Sequence, residues 1–321
     1  MKALVFETFG GPEVLHYKDV VNPNLKPDEV LVQSKAIGLN FADIYRRKGN
    51  YHITGKPPYI LGYEGAGVVV EVGESVTTIK KGDRIAYADA PFANAELVAV
   101  PEEKAIPLPE SISFEVAASI LLQGLTAHYL IHDSYKIKEG DTAVIHACAG
   151  GVGQLLIQMI KILGGKAIGL TSSLSKAKVA EKKGADYVFL YGDEWVNRTL
   201  EITNGQGVEV VFESVGSTLL QSFSATKVGG TVVFFGMAGG NPEPVDPRML
   251  MDTSKTLTGG DLWNVLTSRQ DRINRSQQLF NWIEKQEVLL SEPIIFPLKD
   301  GRKAHELLQS RKSSGKILLV P

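Results

Sequence analysis

A chain of 321 residues is long enough for two domains of ordinary size. Its formal net charge of −2, with 44% hydrophobic and 22% charged residues, is a globular composition without the basic field a nucleic-acid binder needs. The single cysteine, Cys148, excludes an intrachain disulfide framework and a cysteine-rich zinc lobe, and it fits a reducing, cytoplasmic compartment.

The opening Met1-Lys2-Ala3-Leu4-Val5-Phe6-Glu7 carries an early acid and no long apolar region, so it does not read as a signal peptide. No apolar run reaches the roughly 18 residues that span a bilayer, and no membrane role is expected. From Met1 to about Leu122 the chain reads as short strands, at Lys2–Glu7, Glu29–Leu39, Gly67–Val72, Arg84–Ala88 and Ala95–Val100. Turn punctuation at Gly10-Gly11-Pro12, Asn22-Pro23, Lys56-Pro57-Pro58 and Lys81-Gly82-Asp83 separates them, as in a partly open β-barrel.

From about Gln123 the period changes. Strands are expected at Thr142–Ala147, Lys166–Thr171, Tyr187–Leu190, Val208–Phe212 and Thr231–Gly236. Helices are expected at Gly153–Leu163 and Ser175–Lys183, the second stopped by Gly184. The strand runs are continuously apolar, as when helices cover both faces of a sheet, and alternating β and α gives a parallel doubly wound sheet. A long helix over Arg269–Lys285 and a strand ending Lys316–Val320 follow, and this tail is expected to rejoin the first lobe. The boundaries are therefore 1–122, completed by about 262–321, and 123–261.

The strongest local signal is Ala147-Cys148-Ala149-Gly150-Gly151-Val152-Gly153, a variant of the glycine fingerprint of dinucleotide sites. Small residues are needed there because the chain must turn tightly, approach a pyrophosphate and pack a helix close to a strand. The next helix start then offers free N–H groups and a partial positive charge. A strand before it and an apolar helix and second strand after it supply the context that a glycine triplet alone lacks. The second strand ends Gly169-Leu170-Thr171-Ser172-Ser173-Leu174-Ser175-Lys176, with no acid until Glu181. NAD sites place a carboxylate there for the ribose 2′-OH, whereas hydroxyls and a lysine suit a 2′-phosphate. NADPH is the expected cofactor, and Ser173 or Ser175 can cap the next helix at the same time.

Over its whole length the chain resembles the zinc-free quinone oxidoreductases of the medium-chain dehydrogenase/reductase superfamily. The matching segments are Asn40–Tyr45, Gly62–Gly67, Gln123–Ala127, Ala147–Gly153, Glu213–Gly216 and Pro297–Asp300. The resemblance implies a GroES-like β-barrel lobe and a Rossmann lobe around a cleft, usually as a homodimer. It implies that Ala149, Gly150, Gly151 and Val152 form the pyrophosphate loop. Ser172, Lys176, Tyr191 and Arg311 would meet the 2′-phosphate and adenosine, and Thr126, Phe235 and Gly236 the nicotinamide half. Asn40, Tyr45 and Tyr51 match cleft positions where an amide and two phenols can hydrogen-bond a carbonyl oxygen.

Where the zinc alcohol dehydrogenases of that superfamily carry metal ligands, this chain has Asn40, Tyr63 and approximately Gln123, a poor zinc set, so no metal is expected. An acceptor that is already electrophilic then suits the site, because no Lewis acid is needed. Three functions stay open: a quinone reductase, an enoyl or enone reductase on the same scaffold, and an NADPH-binding protein without turnover. The arginine that many relatives carry after the last Rossmann strand is absent from Leu257–Trp263, which leaves the acceptor itself undefined.

Overall fold

The computed structural model describes residues 1–192 and 194–321. In chain order the strands begin with β1 (Lys2–Phe6), β2 (His16–Asp19) and β3 (Glu29–Leu39), followed by helix α1 (Phe41–Arg47). Next come β4 (Tyr59–Ile60), β5 (Gly65–Val72), β6 (Arg84–Tyr87), β7 (Leu97–Pro101), β8 (Ile106–Pro107) and α2 (Phe114–Tyr129). The alternating stretch is β9 (Thr142–Ile145), α3 (Gly151–Ile162), β10 (Lys166–Thr171), α4 (Leu174–Lys182), β11 (Tyr187–Leu190) and α5 (Trp195–Ile202). It continues through β12 (Val208–Glu213), α6 (Leu219–Ala225), β13 (Thr226–Phe234), α7 (Pro247–Thr253) and β14 (Thr256–Gly259). The chain finishes with α8 (Leu262–Val265), α9 (Arg269–Glu284), β15 (Ile294–Pro297), α10 (Gly301–Gln309) and β16 (Ile317–Val320).

Two compact units emerge, one of Met1–Leu122 with Leu266–Glu284 and Leu290–Pro321, the other of Gln123–Val265 with Lys285–Leu289. The first is built on a seven-stranded sheet ordered β15-β16-β3-β5-β6-β8, with β7 also pairing β3. A smaller sheet runs β2-β1-β4. β3 is the organising strand: Glu29–Gln33 pair with β7, and Ile37–Leu39 pair antiparallel with β16. Two register shifts against β5 bend it, which lets one long strand serve different neighbours along its length. Leu4, Phe6, Val30, Val32, Ile37, Leu39 and Ile85 are among the side chains that fill this unit's core. Each contributes about 1.5–3 kcal/mol by leaving water.

The second unit is a six-stranded sheet ordered β11-β10-β9-β12-β13-β14, parallel throughout. The Rossmann-type fold expected from the apolar strand runs is thus present. Val144, Ile168, Leu170, Val211 and Val232 are buried from the sheet, with Leu219 and Phe223 from α6 packed on them. From β9 the chain moves outward to β10 and β11, then returns to β12 on the other side of β9. The strand order therefore reverses between β9 and β12, and ligands of open α/β sheets bind at such a reversal.

One helix bears on the expectation that no segment spans a bilayer. Phe114–Ser134 forms 21 helical residues, within which an 18-residue window has a mean hydropathy of 1.3, long and apolar enough to cross a bilayer. However, 72% of that window is buried inside the protein, so the apolar character serves packing. Glu115, Gln123 and His128 interrupt its apolar residues.

Candidate active site

At the reversal point β9 ends and the chain turns sharply, with Ala147 at φ +48°. The Gly150 N–H donates to the Ala147 carbonyl at 2.8 Å, closing the turn, and α3 begins at the next residue. Gly153 has a steric reason: a Cβ there would stand 2.6 Å from the Ala147 carbonyl oxygen and 2.7 Å from the Cys148 Cα. Both are backbone atoms, so any side chain would force helix and loop apart. The first N–H groups of α3 have no partner within the helix, which is the usual basis of anion binding at a helix start. Gln154 braces the loop from inside, donating from Nε2 to the Ala149 carbonyl at 2.7 Å.

A buried polar network holds this loop. The Ala147 N–H donates to the Tyr191 hydroxyl at 2.8 Å, and that hydroxyl lies 3.3 Å from His146 Nδ1. On the other side of the imidazole, Nε2 is 2.9 Å from Ser222 Oγ and 3.2 Å from Glu213 Oε2. Glu213, at the end of β12, accepts from the N–H groups of Val215 (2.6 Å) and Gly216 (3.0 Å) and from the hydroxyls of Thr218 (2.8 Å) and Ser222 (2.6 Å). Burial pushes His146 down to about 4 against the pull of Glu213, so the ring is neutral at pH 7. Burial opposes ionisation of Glu213, but His146, the Ser222 hydroxyl and two backbone N–H groups hold it below the usual carboxylate range. These partners assign Nε2 as the protonated nitrogen, with Nδ1 accepting from Tyr191. The network thus links the ends of β9, β11 and β12.

Several of the expected cofactor residues of this unit follow the ends of its strands. Ser172 is exposed just past β10, and Ser173 caps α4 by accepting from the Lys176 N–H at 3.4 Å. Lys176 is half-buried, and its charge acts on Cys148 in the loop. The Phe235 N–H donates to the Glu213 carbonyl at 2.9 Å, and a Cβ on Gly236 would lie 3.1 Å from the Ser214 carbonyl. Both therefore follow β13 beside the end of β12. Thr126 sits half-buried on α2. Arg311 belongs to the other unit, exposed beyond α10 with φ +57° and its N–H on the Leu308 carbonyl at 3.1 Å.

The first unit gathers a different cluster. Asn40 precedes α1, and its backbone N–H donates to Asp43 Oδ2 at 2.9 Å. Its side-chain Nδ2 donates to Glu64 Oε2 at 2.8 Å and to the Gly38 carbonyl at 3.3 Å. Lys316 Nζ donates to Asn40 Oδ1 at 2.9 Å and to Glu64 Oε2 at 2.5 Å. The other oxygen of Glu64 accepts from the Leu122 N–H at 2.7 Å. Gly38 permits this packing, since a Cβ there would meet Glu64 Oε2 at 2.2 Å and the Ala118 carbonyl at 2.5 Å. Asn40 was expected to donate to a substrate carbonyl. Its two amide protons already have acceptors, because an N-terminal helix position next to a buried carboxylate and ammonium gives a short amide fixed partners.

Tyr45 and Tyr51 are half-buried. Beside them lies Arg46, fully buried, with Cζ 3.8 Å from the Tyr63 ring centroid and 4.9 Å from that of Tyr51. Its Nε donates to the His52 carbonyl at 3.0 Å, and Nη1 stands 3.6 Å from Asp43 Oδ1. Burial raises Asp43 above the usual carboxylate range against the attraction of Arg46. Asp43, Arg46, Glu64 and Lys316 are two acids and two bases whose side chains are at most 3% exposed. Removing such charges from water costs several kcal/mol each, so the cluster persists only because each charge finds a partner.

Those contacts bear on a metal. Tyr63 exchanges hydrogen bonds with Thr54, its hydroxyl accepting from the N–H and donating to Oγ1, both at 3.1 Å. The place among Asn40, Glu64 and their neighbours already holds the ammonium of Lys316. An amide and a phenol are poor zinc donors, and the one good carboxylate is neutralised. Among the described residues no group of three His, Cys, Asp or Glu side chains could hold a metal ion. The residues do not fit zinc.

Lys316, Arg46, His146, Glu213 and Gln154 were not singled out in the sequence as site residues. A lysine opening an apolar strand and an acid closing one were the available signals. Each reads equally as a strand end.

Two family models match: the alcohol dehydrogenase GroES-like domain over residues 26–139 and the zinc-binding dehydrogenase over residues 151–281. A quinone oxidoreductase of Pseudomonas aeruginosa is 39% identical, covering 100% of this chain and 99% of that protein. The chain belongs to the quinone oxidoreductase family of the medium-chain dehydrogenases/reductases. Within that family, the crystal structure of Escherichia coli quinone oxidoreductase complexed with NADPH superposes with a TM-score of 0.96 at 37% identity, covering 100% of both chains. A 2-haloacrylate reductase of a Burkholderia species is 33% identical over 99% of this chain and 98% of that one.

Proposed function

We propose that this chain is an NADPH-dependent quinone oxidoreductase that works without a metal. The observation that carries the reading is the β9–β12 reversal, where an anion-ready helix start lies beside β10, which is followed by hydroxyls and by Lys176 of α4 and no carboxylate. The NADPH complex of the Escherichia coli relative supports the same cofactor. In this reading Ala149, Gly150, Gly151 and Val152 cradle the pyrophosphate. Ser172, Lys176 and Arg311 take the 2′-phosphate, Tyr191 holds the loop beside the adenosine, and Thr126, Phe235 and Gly236 border the nicotinamide.

The unit of residues 123–265 with 285–289 binds the reductant, and the other supplies the acceptor-binding side chains. The quinone accepts a hydride, two electrons with one proton, from the dihydronicotinamide, leaving NADP⁺ and a hydroquinone monoanion. A proton from water or a tyrosine hydroxyl completes the hydroquinone. Tyr45 and Tyr51 offer the hydrogen bonds to its oxygens, and Asn40 acts one step back, fixing the start of α1. The protein's part is to orient and polarise, since the cofactor carries the hydride chemistry.

Three further points belong to this reading. Zinc independence is supported by the Lys316 ammonium within the would-be ligand set. A homodimer is supported by the outer strands β14 and β15, whose Leu257 and Ile295 are 36% and 53% exposed. A reducing cytoplasm suits Cys148, a buried thiol that burial pushes up to about 12 and so keeps unreactive.

The test is oxidation of NADPH, followed by absorbance, with p-benzoquinone, with NADH as the competing reductant. Turnover that prefers NADPH is expected. The relative named 2-haloacrylate reductase supports a second reading, reduction of an activated C=C bond. Turnover with an enone or enoyl thioester but with no quinone would select it. NADPH binding without turnover of any acceptor would refute both.

A further inference from the structure

We infer that Arg46 is a positioning residue for hydride acceptance: it fixes Tyr51 and keeps a positive charge at its ring, against the negative charge that develops on the reduced acceptor. The inference rests on the proposed role of Tyr51 as a hydrogen-bond donor to that acceptor.

Arg46 meets the segment bearing Tyr51 at several points. Nε donates to the His52 carbonyl at 3.0 Å, and Nη2 lies 3.4 Å from His52 Nε2. The His52 ring in turn packs on Tyr51, with centroids 4.0 Å apart. The guanidinium stands over the rings of Tyr51 and Tyr63 at 4.9 and 3.8 Å. Its charged neighbour on α1 is Asp43, at 3.6 Å from Nη1, and that carboxylate also accepts the Asn40 N–H. The nearby Lys316–Glu64 pair balances itself at 2.5 Å. Asp43 thus approaches one nitrogen of the guanidinium, and two aromatic rings lie under its central carbon.

An apolar side chain could pin a loop at lower desolvation cost than a fully buried cation. A cation at an aromatic ring has an additional effect. As the acceptor takes the hydride, negative charge grows on its oxygen and is shared with the phenol that donates to it. A fixed positive charge near that phenol stabilises the charged state more than the neutral quinone. Fixed charges that favour a developing anion raise the rate of the chemical step.

The experiment compares wild type, Arg46→Met and Arg46→Lys in single turnovers of bound NADPH with p-benzoquinones of graded electron affinity. With Arg46→Met, the rate is expected to fall about tenfold more for the least oxidising quinone than for the most oxidising, because the former leans most on charge stabilisation. NADPH affinity stays unchanged. Arg46→Lys keeps the charge and loses the planar contacts, so its KM rises while the dependence on electron affinity stays that of wild type. A common factor across all quinones in Arg46→Met, with NADPH affinity intact, would overturn the inference and leave Arg46 a loop staple. Should Arg46→Met fail to fold, Arg46→Lys decides, and an altered dependence on electron affinity or an unchanged KM would overturn it. A wild type inert towards every quinone overturns both this inference and the activity beneath it, whereas an active wild type isolates the failure to Arg46.

Discussion

Lys316 and Glu64 form an ion pair of 2.5 Å with side chains 3% and 0% exposed, and the same ammonium orients the amide of Asn40 at 2.9 Å. Removing one partner of a buried pair leaves the other charge uncompensated. Lys316→Met should therefore cost about 3–5 kcal/mol in urea denaturation. Lys316→Met with Glu64→Gln should recover part of that loss, and strict additivity of the two would contradict a direct pair.

The phosphate loop makes a steric prediction. The Cβ of Gly153→Ala would enter backbone space at 2.6 Å from the Ala147 carbonyl. Alanine is otherwise a better helix residue than glycine, so the chain should fold. NADPH affinity should fall at least tenfold, roughly 1.4 kcal/mol, in a fluorescence titration. Unaltered affinity would show that the loop can yield without cost.

Lys176 should separate the two nicotinamide dinucleotides. A charge-assisted hydrogen bond is worth about 1.5–3 kcal/mol, so Lys176→Ala should weaken NADPH roughly tenfold to a hundredfold and leave NADH nearly unchanged. Calorimetric titration with each dinucleotide checks this. Equal weakening would place Lys176 away from the 2′-phosphate.

Tyr51→Phe removes a hydroxyl and keeps the ring over which Arg46 stands. Turnover with quinone should fall about tenfold, with NADPH affinity unchanged. An unchanged turnover number would remove Tyr51 from the reaction.

Stability should fall in mild acid. Burial holds His146 down to about 4 and His305 down to about 3, from an ordinary 6.5, with Glu213 opposing the effect at the first and Arg47 adding to it at the second. Below about pH 6.5 the unfolded chain binds protons that the folded chain refuses, so stability drops as pH falls towards 4. The depressed carboxyl of Glu213 adds its own loss at still lower pH. Urea midpoints from pH 7 to 4.5 should show the decline, and His146→Gln should flatten it while lowering stability at pH 7. A slope unchanged in that variant would assign the decline to other groups.

Much of the fold was legible because its cause is local. Continuous apolar runs such as Val208–Phe212 need two covered faces, and the expected span Lys166–Thr171 matches β10 residue for residue. The glycine loop was legible for the same reason, since its sterics act within seven residues. The charged partners of the Asn40 side chain were not, because they lie 24 and 276 residues away, at Glu64 and Lys316. The short β14 was hidden too: Thr256–Gly259 has one apolar side chain in four and is largely exposed, as suits an outer strand with one neighbour only. His146 looked like a strand residue, and only the fold brings Ser222 to its ring from 76 residues away.

The pairing of β16 with β3 also has a consequence for biosynthesis. The parallel-sheet unit is almost contiguous and can form as it leaves the ribosome, because domains generally fold as units during synthesis. The other unit waits: until residues 316–320 are translated, β3 lacks its β16 neighbour along Ile37–Leu39, and Asp43, Glu64 and Arg46 lack their fourth charge. This unit is thus finished last, by a closure spanning nearly the whole polypeptide. Such long-range closures are slow.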